Sequence, residues 1–273
     1  SFKSVQIMQE DVAFLQYTGG TTGTVKAAVL SHGNILANAI QVREWLGNHL
    51  KFGEDTAICA LPLYHIFALT CNSMVFFYFG SNNILITNPR DISGFVKELK
   101  RHQFTFISGV NTLFKKLLEN PSFQECDFSK LNISIAGGMP VQKVVGDKWQ
   151  EVTKCLLVVG YGLSETSPAV SIDPVDGKSF SDTIGLPMPS TEMSIQDTND
   201  KHLPIGEVGE ICVKGPQVMR GYWKNEKETK KVLTSDGWFK TGDLGFMRSD
   251  GYFKIVDRKK DMIIVSGFNV YPS

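Results

Sequence analysis

No two of the five cysteines, Cys59, Cys71, Cys126, Cys155 and Cys212, form a CxxC pair. That excludes a paired-cysteine zinc site and a disulfide-framed secreted module; an odd, scattered set reads as reduced, mostly buried thiols in a reducing compartment, the cytoplasm. Net charge is missing as well, because 28 basic residues cancel 28 acidic ones. A general attraction to nucleic acid or to an anionic membrane is thereby excluded, and any anion has to be bound locally. There is no unbroken apolar run of spanning length. The most apolar stretch, LPLYHIFALTCNSMVFFYFG (residues 61–80), is interrupted by Pro62, His65, Asn72 and Ser73 and reads as a buried segment. The first residues, SFKSVQIMQEDVAF, lack the basic start and apolar stretch of a secretory signal. Internal repeats and low-complexity tracts are absent too.

What is present is ample core material: 42% of the 273 residues are hydrophobic, enough for one large domain or two smaller ones. VAFLQY (12–17) enters a glycine- and threonine-rich loop and KAAVL (26–30) leaves it. Ser31 then reads as the N-cap of a helix through Trp45, with Ile35, Leu36, Ala39, Val42 and Leu46 at helical spacing. From Thr56 to Gly160 the apolar runs TAICAL, NILIT, FTFIS, NISIA and LLVVG alternate with the helical stretches DISGFVKELKRH and VNTLFKKLLEN. Such alternation predicts an α/β fold, an open, mostly parallel sheet with flanking helices. After Lys178 the texture changes to Gly, Pro and short extended runs (EMSIQD, GEICVKG, YFKIVD), with Asp250–Gly251 as a hairpin turn and one helix, NEKETKKVL. A smaller antiparallel, β-barrel-like subdomain is expected there. The expected division is 1–178 and 179–257, with 258–273 beyond.

Five stretches carry chemistry. YTGGTTGTVK (17–26) sets glycines among Thr18, Thr21, Thr22 and Thr24 and ends in Lys26. Small residues let backbone N–H groups approach a phosphate, hydroxyls donate to it, and the ammonium neutralises it. A Walker A loop is excluded, since Val25 precedes the lysine, Ala27 follows it, and a strand comes next; a plain hairpin loop would use the same glycines for positive φ. His65 lies in an apolar run, where a histidine is more often a satisfied core residue. In IAGGMP (135–140) a strand ends in Gly137 and Gly138 before a helix opened by Pro140, the crevice position of an open α/β sheet, although a plain strand-to-helix turn would look the same. GYGLSETSP (160–168) offers Tyr161 for a base, Ser164 and Thr166 for phosphate, and Glu165 as a ligand for Mg²⁺. Finally, Asp243, between Gly242 and Leu244, suits the two hydroxyls of a ribose, and DRKKD is either a solvated charged turn or places Arg258 for a second ribose or phosphate contact.

In this order, the stretches resemble the adenylate-forming superfamily of acyl- and aryl-CoA synthetases, luciferases and peptide-synthetase adenylation domains. LQYTGGTTG, ALPLYHIFALT, LITNPRDI, GVNTLF, GGMPVQ, TIGLPMPS, CVKGPQVM and IVDRKKDMIIVSGFNVYP are similar to bacterial long-chain fatty acid–CoA ligases in particular. The resemblance implies activation of a fatty acid by ATP and Mg²⁺ to an acyl-adenylate, followed by transfer to CoA. It implies a phosphate loop over Thr18, Gly19, Gly20, Thr21, Thr22, Gly23 and Lys26, and His65 beside the acyl carboxylate. Gly137 and Gly138 would line the adenine and acyl sites. Tyr161 with Gly162 would stand against adenine, with Thr166 on phosphate and Glu165 on Mg²⁺. Asp243 and Arg258 would hold the ribose, Lys260 would lie at a hinge, and Gly267 would approach pantetheine. Ala27, where the family usually has glycine, is a departure. The family's catalytic lysine would fall beyond Ser273, so the chain is expected to be a central portion with little adenylation by itself. Phe67, Leu69, Met74 and Phe76 are candidates for an acyl tunnel, though core packing explains such residues at least as well, and peripheral association with the inner membrane and a homodimer come only as family expectations. A carrier protein as acyl acceptor, or a nucleotide-binding module without catalysis, stays open as an alternative.

Overall fold

A computed structural model describes residues 5–18 and 25–259, together with the backbone of two short strands beyond them. An antiparallel hairpin, β1 (Val12–Thr18) and β2 (Lys26–Ser31), leads into α1 (His32–Leu46). Then follow β3 (Thr56–Cys59), a helical stretch that is π-helical over Ala68–Val75 and continues as α2 (Phe76–Tyr78), and β4 (Asn82–Leu85). After these come α3 (Ile92–Leu99), β5 (Phe106–Gly109), α4 (Asn111–Glu119), β6 (Ile133–Gly137), α5 (Lys143–Thr153) and β7 (Leu157–Gly162). Two further strands, β8 (Ala169–Ile172) and β9 (Leu186–Pro187), complete a seven-stranded sheet of order β4-β3-β5-β6-β7-β8-β9. The first five strands are parallel as expected, and β8 and β9 run antiparallel at one edge.

Both faces of this sheet are covered, which is why its strands read as nearly continuous apolar runs. Side chains alternate between the layers. Ile58, Ile107, Ala136, Leu157 and Val159 pack with Phe95, Leu99, Phe114 and Trp149 of α3, α4 and α5. Ala57, Phe106, Ile133, Ile135 and Val158 pack with Val42, Leu46, Cys71, Val75 and Phe76 on the other side. All five cysteines are buried and free, and burial pushes the thiol of Cys71 up to about 12.

Ser31 caps α1, accepting from Asn34 N at 3.2 Å while Asn34 Oδ1 accepts from Ser31 N at 3.0 Å. The buried face of α1 differs from the expected one: Leu36 is exposed, whereas Asn38 and Gln41 are buried with Ile35, Val42 and Leu46. The reason is polar. Asn38 donates to Ala169 O at 2.8 Å and accepts from Ala169 N at 2.9 Å, and Gln41 donates to Pro189 O at 2.7 Å, so the two amides bond backbone at the start of β8 and just after β9.

The second sheet, β10 (Glu192–Gln196), β11 (Gly209–Lys214), β12 (Phe239–Met247) and β13 (Phe253–Arg258), is wholly antiparallel, with α6 (Glu226–Val232) between β11 and β12. Its order is linear, so among the described residues it is an open sheet with β10 and β13 at its edges rather than a closed barrel. Gly251, at φ +86°, makes the expected turn between β12 and β13. Strands β14 (Ile263–Val265) and β15 (Phe268–Val270) pair with each other. No helix among the described residues is long and apolar enough to cross a membrane.

Candidate nucleotide site

The segments that follow β6 and β7 meet β12, β13 and the start of β2 around a cavity of about 1300 Å³. Nine of the expected residues line it: Thr18, Lys26, Gly138, Tyr161, Gly162, Ser164, Glu165, Asp243 and Arg258. The sheet's topology explains the meeting, because the carboxyl ends of adjacent parallel strands open a crevice on one edge of the sheet.

The glycines are set by geometry. Gly138 has φ +77°, which lets the chain turn out of β6 into the cavity wall. At Gly162 a Cβ would lie 2.0 Å from the carbonyl oxygen of Pro168, so only glycine admits the loop that follows β7. Within that loop Thr166 is fully buried: its Oγ1 accepts from Leu163 N at 3.0 Å and donates to the carbonyls of Leu163 and Pro168. Its hydroxyl therefore holds the turn and does not line the cavity, where Ser164 and Glu165 do.

Glu165 is 9% exposed and accepts from Tyr222 Oη at 2.8 Å, and its own carbonyl accepts from Met219 N at 2.7 Å. Burial first, then the Glu165 charge, pushes the Tyr222 phenol up, which keeps it the donor. The ring of Tyr222 also receives Lys26, whose Nζ stands 4.9 Å from the centroid and 2.8 Å from Glu228 Oε2. Across the cavity Tyr161 Oη donates to Asp243 Oδ2 at 2.6 Å, and Arg258 Nε lies 3.5 Å from Asp243 Oδ1. Tyr161 is likewise pushed well up, by burial and then by the Asp243 charge. Glu210 supports β12 from the neighbouring strand: Oε1 accepts from Gly242 N at 3.0 Å and Oε2 pairs with Lys259 at 2.7 Å.

Several expectations are placed differently. His65 is exposed, with its ring 4.9 Å from that of Tyr64, so its apolar neighbours in sequence do not enclose it. Gly137 does not line the cavity; a Cβ there would sit 3.0 Å from Gly160 O and 3.1 Å from the Phe67 ring, so its smallness serves packing. The helix after β6 begins at Lys143, with Gln142 as N-cap, and Pro140 stays in the cavity wall before it. Of the tunnel candidates, Phe76 is core against Phe106, and Phe67 and Leu69 pack against core clusters. Met74 packs against a core cluster as well and also lines a second, largely apolar cavity of about 820 Å³ with Phe14, Ile35 and Ile40. Gly19, Gly20, Thr21, Thr22, Gly23, Lys260 and Gly267 lie outside the described residues.

Sequence reasoning missed Tyr222, Glu228 and Glu210. Glu210 carried a usable signal, an acid inside the apolar run GEICVK, the same kind that marked Asp243. Tyr222 and Glu228 carried none, since a tyrosine after a glycine and an acid on a charged helix are ordinary.

Among the described residues no group of three or more His, Cys, Asp or Glu side chains is placed to hold a metal. The donor set nevertheless fits Mg²⁺ in a nucleotide site: Tyr222 occupies one oxygen of Glu165, and a single carboxylate with phosphate and water oxygens is the usual Mg²⁺ arrangement.

Comparison with known proteins bears on this geometry. The AMP-binding enzyme family matches over residues 2–223. A long-chain-fatty-acid–CoA ligase of Salmonella typhimurium is 54% identical over 268 residues, 98% of this chain and 48% of that protein. Among solved structures, ATP-bound MatB from Rhodopseudomonas palustris has a TM-score of 0.88 at 32% identity, covering 100% of this chain and 53% of its own. O-succinylbenzoate coenzyme A synthetase from Bacillus subtilis, in complex with ATP and magnesium ion, has a TM-score of 0.86 at 29% identity, covering 99% and 55%. The chain spans about half the length of the curated relatives it matches. With the family match running from residue 2 through the loop, both glycine turns and Tyr222, this chain belongs to the AMP-binding enzyme family.

Proposed function

We propose that the protein activates a long-chain fatty acid with ATP and passes the acyl group to coenzyme A. One observation carries the reading: Lys26, Arg258, the carboxylates of Glu165 and Asp243, and Tyr161 and Tyr222, drawn from segments more than 200 residues apart, converge on a single cavity of about 1300 Å³. The 54% identity to a long-chain-fatty-acid–CoA ligase supports the substrate class.

In this reading Thr18, Lys26 and the loop between them hold the phosphates. Asp243 accepts the ribose hydroxyls beside its contacts with Tyr161 and Arg258. Tyr161 and the backbone around Gly138 flank the base. Glu165 would hold Mg²⁺, which when bound neutralises phosphate charge. An oxygen of the fatty acid carboxylate bonds to the α-phosphorus as the bond to pyrophosphate breaks. The sulfur of CoA then bonds to the acyl carbon, AMP leaves, and the thiol proton passes to solvent. What the site supplies is position and charge stabilisation.

The test has two parts. ATP binding to these 273 residues, measured by calorimetry, weakens at least about tenfold in Asp243→Ala, as loss of a charged hydrogen-bonding partner predicts. The intact protein carrying this sequence, given palmitate, ATP and Mg²⁺, exchanges pyrophosphate into ATP, and it forms palmitoyl-CoA and AMP in equal amounts once CoA is added. Exchange without any CoA product would sink the second step, and failure of both would sink the reading.

A further inference from the structure

Lys26 opens β2 on the far side of the glycine-rich loop, and the residue that holds it, Glu228, has no part in the chemistry above. The Lys26 and Glu228 side chains are only 17% and 24% exposed, and their charged atoms lie 2.8 Å apart. Such a pair is screened less than a fully exposed one. A lysine already neutralised by a carboxylate attracts phosphate less than a free one does. The other oxygen of Glu228 accepts from Lys231 at 2.5 Å, one turn along α6, and Glu228 N donates to Asn225 Oδ1 at 3.2 Å. If Lys26 leaves, the carboxylate keeps a partner, and the cost of stranding a charge is avoided. Lys26 and Lys231 both line the large cavity.

We propose that Glu228 is a positioning residue of the nucleotide site: an internal counter-ion that holds Lys26 when no nucleotide is bound and is exchanged for the phosphates of ATP. The proposal rests on the ATP-site reading. It assigns α6, a helix otherwise merely charged, to control of triphosphate affinity. Glu228 acts through Lys26, and its removal therefore alters the binding of phosphate and not of the nucleoside.

The experiment is calorimetric titration with Mg-ATP and, separately, with adenosine. In Glu228→Gln, which keeps the size of the side chain, ATP binds about fivefold more tightly, the scale of one partly exposed ion pair, while adenosine affinity stays within about twofold. Lys231→Gln leaves the carboxylate to Lys26 alone and shifts ATP affinity the opposite way, again without moving adenosine. Combining Lys26→Gln with Glu228→Gln abolishes the gain. An ATP-to-adenosine ratio in Glu228→Gln that is unchanged or lowered overturns the counter-ion role and leaves the ATP site standing. Absence of binding of either ligand to the unmodified chain and to both single variants overturns the ATP-site reading and this proposal with it.

Discussion

The phenol of Tyr161, at the end of β7, donates a 2.6 Å hydrogen bond to Oδ2 of Asp243 in β12. Eighty-two positions separate the two residues, and the bond ties the parallel sheet to the antiparallel one across the large cavity. Asp243 is buried and Tyr161 partly so, and desolvation holds the phenol in its protonated, donating form. Asp243 is thus oriented from one side by Tyr161 and approached from the other by Arg258 at 3.5 Å.

Tyr161→Phe keeps the ring and removes that bond. A hydrogen bond to a charged acceptor contributes about 1.5–3 kcal/mol, so the variant is expected to lose about 2 kcal/mol of stability in urea unfolding, with an unchanged m-value. A loss below about 0.5 kcal/mol would mean that water replaces the phenol without cost.

Gly162→Ala drives a Cβ to 2.0 Å from the Pro168 carbonyl oxygen, which is backbone and cannot swing aside. The loop bearing Ser164 and Glu165 has to shift, and overpacking of this kind costs about 1–3 kcal/mol. Gly160→Ala, two residues earlier in the same strand, meets its nearest neighbour at 3.5 Å and is expected to change stability by less than about 1 kcal/mol. Equal urea midpoints for the two variants would contradict this geometry.

The Glu228 carboxyl is pushed down from 4.5 to about 2, first by the hydrogen bond from Lys231 and then by that from Lys26. With a folded value below the unfolded one, the pairing stabilises the protein fully above pH 4.5 and is lost as pH falls toward 2. Carbon-13 NMR of the side-chain carboxyl should place the midpoint near the lower value, and Lys231→Gln should raise it. An ordinary midpoint in the unmodified protein would remove both ion pairs from the account.

Asn34→Ala removes more than a helix cap. Asn34 Oδ1 accepts from Ser31 N, and its Nδ2 donates to Pro216 O at 2.7 Å and Val218 O at 3.0 Å, which docks that segment on α1. Ser31→Ala should cost about 1 kcal/mol, as capping residues do, and Asn34→Ala about 2 kcal/mol or more, because two carbonyls lose their partner. The order of the two thermal midpoints checks the assignment.

The parallel strands were legible in TAICAL, FTFIS and LLVVG because a sheet covered on both faces demands unbroken apolar runs. The antiparallel strands β8 and β9 were not, being short and spread over the Ser/Pro-rich stretch from Ser167 to Pro187. The buried amides of α1 escaped a pattern that scores only apolar residues, since Asn38 and Gln41 earn burial through distant carbonyls of Ala169 and Pro189. The exposure of His65 was not legible for the converse reason: its neighbours in sequence are apolar, yet the turn before the π-helical stretch leaves its ring in the open.

Residue type and spacing by themselves determined the α/β architecture, the exclusion of a Walker A loop, and a set of residues fit for a nucleotide and a metal. Those properties depend on local periodicity, backbone preference and side-chain chemistry, which neighbouring residues carry. Tertiary structure alone decided that Thr166 holds a turn, that Tyr161 is bound to Asp243, and that Lys26 is met by Glu228, 202 positions away. Hydrogen bonds and ion pairs act over about 3 Å, and only the packing of the two sheets and α6 brings those partners within that range.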